Sequence, residues 1–112
     1  MYYVAEAVYT VPLPCSPSEL TEELMPAHTA HIRSGVEAGL VLLAGPKGEG
    51  DGGFVILRAD SRGELDAFLG QDPLVLRGVQ TFRVTPWKIF DYPAAAEALL
   101  GCAGESMPPA QR

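Results

Sequence analysis

Two short runs, Leu40 to Ala44 and Phe54 to Leu57, are apolar at every successive position. Side chains on a strand point alternately to opposite faces, so a strand apolar at consecutive positions has to be covered on both sides. The chain has 112 residues, 47% of them hydrophobic and 20% charged, a composition that supports one core and one domain. Helices from so short a chain can cover one face of a sheet. A second copy packing sheet to sheet is the economical cover for the other, because monomers rarely expose so large an apolar patch. A homodimer is expected.

The remaining elements follow from periodicity and punctuation. Residues 2–11 alternate so that Tyr3, Ala5, Ala7 and Tyr9 share one face and Val4, Glu6, Val8 and Thr10 the other, which reads as a strand. Pro12, Pro14 and Pro17 end it. Leu24, His28, Ile32 and Val36 then recur at helical spacing up to Ala38-Gly39, a C-terminal cap. Proline is tolerated in the first turn of a helix but not in its interior, which places the start of this helix near Pro26, after a short turn or helix over 18–25.

Residues 47–53, rich in glycine, form a hairpin connection between strands 40–44 and 54–57; no helix follows them, so they are not a phosphate loop. Asp60-Ser61 offers an N-cap to a helix ending near Leu69, Asp72-Pro73 follows as a turn, and a last strand spans about 79–87. The order is strand, helix, strand, strand, helix, strand. It predicts an α+β domain over 1–90 with a ferredoxin-like βαββαβ antiparallel sheet and both helices on one face. Residues 91–112 are expected to form a C-terminal extension, a short helix over 94–100 and then a flexible tail.

Several function classes are excluded. A net charge of −6, with eight Lys and Arg scattered singly, offers no basic patch for nucleic acid or for an anionic membrane surface. The longest apolar run falls far short of the roughly 20 residues that span a bilayer. The N-terminus lacks a basic region ahead of an apolar one, so the expected location is cytoplasmic. Cys15 and Cys102 carry no CxxC pattern and read as free thiols.

The chemistry-bearing residues are few. His28 lies on the sheet-facing stripe of its helix, where its imidazole needs a partner: a backbone carbonyl if it is a core histidine, a carboxylate if it is a base. His31 completes an HxxH pattern but lacks the further ligands a zinc site needs, so no metal is expected and His31 reads as a helix-flank residue. Asp72 is by itself an ordinary turn residue. With both helices on one face, however, the exit of the second approaches the start of the first, and Asp72 can reach His28. A carboxylate accepting one imidazole N–H fixes the tautomer and leaves the other nitrogen as a base. Arg33, Arg77 and Arg83 receive no role, and neither Ser34 nor Ser61 sits in a nucleophile elbow.

Taken in order, Pro26-Ala27-His28, Gly39-Leu40, Leu43-Ala44-Gly45-Pro46, Gly53-Phe54-Val55-Ile56, Asp72-Pro73, Gly78 and Val84-Thr85-Pro86-Trp87 resemble the YciI-like (YCII-related) proteins over about residues 1–90. The resemblance implies a dimeric ferredoxin-like fold, a dimeric α+β barrel distantly akin to muconolactone isomerase. It also implies a His–Asp pair, here His28 and Asp72, in a pocket near the dimer interface. One branch is similar to a dehydrochlorinase acting on a chlorinated hydroxyhydroquinone. The expectation is therefore a small-molecule enzyme without cofactor, running a lyase- or isomerase-type proton transfer on a small aromatic or quinol-like substrate. The alternative is a non-catalytic ligand-binding or dimerisation accessory in which the pair is only a structural hydrogen bond. A pocket reaching His28 favours the first, a sealed contact the second.

Overall fold

The computed structural model describes residues 1–100; the expected flexible end of the chain lies outside the described residues. Strand β1 (Tyr2–Tyr9) leads through the proline-rich loop into α1 (Pro17–Glu19), a π-helical turn (Leu20–Leu24) and α2 (Met25–Glu37). Strands β2 (Val41–Pro46) and β3 (Gly53–Arg58) form a hairpin, followed by α3 (Arg62–Gly70), a short α4 (Pro73–Leu76) and β4 (Gln80–Trp87). A 3₁₀ turn (Ala94–Ala96) and α5 (Glu97–Leu100) close the described chain. The four strands are antiparallel in the order β2-β3-β1-β4, the ferredoxin-like arrangement.

Both main helices pack on one face of the sheet. Tyr3 and Ala5 of β1, Val55 and Leu57 of β3, and Leu65 and Leu69 of α3 form one buried cluster, with Ile32 of α2 packed against it. The stripe of α2 drifts along its length. Residues spaced by four advance about 40° past a full turn each time, so the face set by Leu24 and His28 has rotated away by Val36, which is exposed. Gly35 takes its place as the buried residue of α2. A Cβ there would lie 2.5 Å from the Phe68 ring and 2.8 Å from the Val41 side chain, so the absence of a side chain is what lets the helix seat against β2 and α3. The helix ends in a Schellman cap, with Leu40 N–H on the Gly35 carbonyl, Gly39 N–H on that of Val36, and Gly39 at a φ of 79°.

The main helix α2 starts at Met25 with Pro26 in its first turn, as expected, and the short helix expected before it is α1 with the π-helical turn. Helical structure runs unbroken from Pro17 to Glu37, and the proline is absorbed by the π-helical turn just before it. Proline lacks an N–H and its ring collides with the carbonyl four residues back. Widening that turn, with Met25 N–H reaching five residues back to Leu20, removes the collision without ending the helix.

The opposite face explains the two apolar runs. In β3 the alternation is plain: Val55 and Leu57 point inward, Phe54 and Ile56 outward. In β2 a register shift between Val41 and Leu43 inserts Leu42 as an extra residue, which is why apolar residues follow one another there. The outer face carries Val8, Leu43, Phe54 and Trp87 as exposed apolar side chains. One corner of it is covered by the chain itself: Ile89 and Leu100 bury Tyr2, with Leu42, Tyr92 and Ala96 packed around them. The expectation that a second copy alone covers this face is corrected to that extent, since the extension after β4 supplies a partial cover.

Candidate active site

The site is built where the start of α2 meets the exit of α3. Asp72 is the N-cap of α4, and its Oδ1 accepts the Leu74 N–H at 2.9 Å, with Pro73 in the first helical position. The residue is fully buried at 0% exposure. Its second oxygen, Oδ2, accepts the Nδ1–H of His28 at 2.7 Å, a short charge-assisted bond. Because a carboxylate only accepts, the bond fixes His28 as the Nδ1–H tautomer and leaves Nε2 with its lone pair. The cap that holds the carboxylate still is thus also what orients the imidazole.

His28 borders a pocket of about 340 Å³, within the size range of small-molecule sites. Ile32, Leu74, Val55 and Phe82 give it apolar walls, and Gly45, Gly52 and Gly53 of the β2–β3 hairpin form its far side. The His28 side chain is 20% exposed, so the pair reaches the pocket and is not sealed into the core.

His31 is occupied elsewhere. Its Nε2–H donates to the Phe68 carbonyl at 2.8 Å and its ring stacks on Phe68 at 4.3 Å between centroids. The carbonyl-satisfied role weighed for His28 is the one His31 plays, tying α2 to the end of α3. Among the described residues no group of three or more His, Cys, Asp or Glu is arranged to hold a metal ion. Arg77 makes two hydrogen bonds to Glu19, at 2.8 and 3.3 Å, and so ties the end of α4 to α1 beside the site. Arg83 is solvated at 73% exposure.

One pocket residue was missed from sequence. Gln80, at the start of β4, is 2% exposed and lines the same pocket as His28. The signal was available in the alternation Gln80, Phe82, Val84, which puts all three on the helix-covered face opposite Tyr9, Ala7 and Ala5.

The YCII-related domain family matches residues 1–88, over three quarters of the chain and every element of the sheet. The chain belongs to the YCII-related family. No curated protein matches it. Among solved structures, this YCII-related protein is similar to 5-chloro-2-hydroxyhydroquinone dehydrochlorinase from Burkholderia phenoliruptrix, in complex with 2,5-dihydroxybenzoquinone. The identity is 22%, the coverage 79% of this chain and 94% of that one, and the TM-score 0.61. It is also similar to muconolactone isomerase at 15% identity, with 84% and 93% coverage and a TM-score of 0.66. At these identities the likeness establishes the shared α+β fold. No helix among the described residues is long and apolar enough to cross a membrane.

Proposed function

We propose that this YCII-related protein is a small-molecule enzyme in which His28, held by Asp72, moves a proton in a lyase- or isomerase-type step, with no cofactor in the reaction. The observation that carries the reading is the 2.7 Å bond from a buried, doubly engaged carboxylate to an imidazole that borders an apolar pocket. Nε2 of His28 takes a proton from a carbon next to a carbonyl or enol, and Asp72 stabilises the imidazolium that forms. In an elimination the C–H pair becomes the new double bond and a leaving group such as chloride departs with its own electrons. In an isomerisation His28 returns the proton to another carbon. The apolar walls suit a flat ring. Both structural neighbours act on or bind small ring compounds, which supports an aromatic or quinol-like substrate.

The test is chloride release from 5-chloro-2-hydroxyhydroquinone and solvent-deuterium incorporation into muconolactone. His28→Ala is expected to lower either rate by about 10²–10⁴-fold, the usual worth of a general base. Wild-type turnover in a well-folded His28→Ala protein sinks the reading. The exposure of His28 to the pocket weighs against the accessory-protein alternative, in which the pair would be sealed.

A further inference from the structure

Gln80 Nε2 is buried with no hydrogen-bond partner among the described residues. A buried amide N–H left unpaired is a standing cost to the fold, and such groups in native proteins are few enough that each calls for a reason. Gln80 stands opposite Tyr9 in the β1–β4 register, on the helix-covered side of the sheet, and it lines the pocket that His28 borders. Of the other polar groups that line the pocket, His28 Nδ1 is spent on Asp72 and the Thr29 hydroxyl donates to the Met25 carbonyl at 2.9 Å, while His28 Nε2 and Tyr9 share the wall without a hydrogen bond to the Gln80 amide nitrogen. Gln80 therefore brings an unpaired amide donor to the wall of a mostly apolar cavity, with an acceptor left for a ligand to supply.

We infer that the Gln80 amide binds an oxygen of the substrate, the carbonyl or phenolic oxygen conjugated to the carbon from which His28 takes its proton. The inference rests on the proton-transfer reading for the second half of that statement only; recognition of an acceptor oxygen stands independently of turnover. When the proton leaves, negative charge moves through the conjugated system onto that oxygen, where a preorganised N–H strengthens its bond as the charge develops. Gln80 then sets specificity as well. A ring lacking an acceptor at that position leaves the amide unpaired, and a site built to hydrogen-bond a group discriminates strongly against analogues without it.

The experiment uses Gln80→Met, which keeps the length of the side chain and removes its donor. The full chain is titrated with 2,5-dihydroxybenzoquinone by calorimetry, beside thermal melts of the ligand-free proteins. Affinity for the probe is expected to fall about tenfold or more, while the ligand-free melting temperature holds or rises, because an unpaired buried donor has been removed. Unchanged affinity overturns the proposal. So does a clearly lowered melting temperature, which identifies Gln80 as a structural group satisfied by water. Wild-type protein that fails to bind the probe overturns it too, as does a probe-bound structure with Gln80 Nε2 beyond about 3.2 Å from every probe oxygen. His28→Ala separates the two readings. Retained turnover there removes the base but leaves the binding result for Gln80 intact.

Discussion

Asp72→Asn is the sharpest probe of the site, because the structure gives the two carboxylate oxygens separate tasks. Oδ1 caps α4 through Leu74 N–H, and the carbonyl of the substituted amide can keep doing so. Oδ2 accepts from His28 Nδ1, and there the amide nitrogen takes its place. An NH₂ group only donates, so Nδ1 must become the acceptor and the ring proton moves to Nε2. One hydrogen bond is exchanged for another, so the fold loses on the order of 1 kcal/mol, the difference between a charge-assisted and a neutral bond. Unfolding entropy for a domain of this length converts that to roughly 4 °C in Tm.

Asp72→Ala is the comparison. It loses the cap, about 1 kcal/mol, and strands the His28 N–H, about 1–3 kcal/mol. The sum of about 2–4 kcal/mol is a drop of roughly 8–16 °C. Proton transfer responds differently. The Asp72→Asn substitution places the proton on the nitrogen that has to accept one, so the rate is expected to fall by about 10³–10⁴ despite the small change in stability. The tautomer is read without any substrate, from ¹⁵N shifts of the His28 ring at neutral pH: Nδ1–H in the wild type, Nε2–H in Asp72→Asn. The same tautomer in both proteins refutes the reasoning.

Further outcomes are expected at other positions. His31→Ala should lower stability by about 1–2 kcal/mol in urea unfolding through loss of the bond to the Phe68 carbonyl, and leave proton transfer intact; a rate loss like that of His28→Ala would assign His31 to the site. Light scattering should give twice the 11.9 kDa chain mass, and Leu43→Glu, on the open sheet face, should give a monomer; a wild-type monomer would end the sheet-packing argument. The Glu6 carboxyl is held below its usual range first by its hydrogen bond to Lys47, at 2.8 Å. Its contribution is therefore fully present above the ordinary Glu value, about 4.3, and lost as pH falls through its depressed one. Glu6→Gln should melt lower than wild type at pH 7 and converge with it in acid; a constant gap across that range would contradict the assignment.

Much of this protein could be read from patterning, and the failures have identifiable physical causes. The period-2 signal of Tyr3 to Tyr9 and the helical spacing of Leu65 and Leu69 report burial directly, and the order of elements carries the βαββαβ topology. Asp72 was placed as a turn residue. Asp-Pro at a helix N-cap has the same local signature as a turn, and only the four-residue helix after it tells them apart. Pro26 marked the start of α2, which the structure places at Met25, but no local pattern showed that the short helix before it joins without a gap through a π-helical turn. The cover over Tyr2 depends on where Ile89 and Leu100 return in space, information that no local window contains.

The hairpin that closes the pocket carries a further consequence, for how such a site can diversify. Gly45, Gly52 and Gly53 form its stem and line the cavity with backbone alone. A Cβ on Gly52 would fall inside the radius of the Ala7 carbonyl oxygen, and one on Gly53 would lie 2.5 Å from that of Gly45. Backbone cannot step aside as a side chain can, so Gly52 and Gly53 resist substitution and keep their part of the far wall bare, whereas a Cβ on Gly45 meets nothing within 4 Å. New ligand preferences in such a pocket must then come from Gly45, from the tip at 48–51, or from the opposite wall at Ile32 and Phe82. A library aimed at changing substrate range should randomise those positions and leave Gly52 and Gly53 alone.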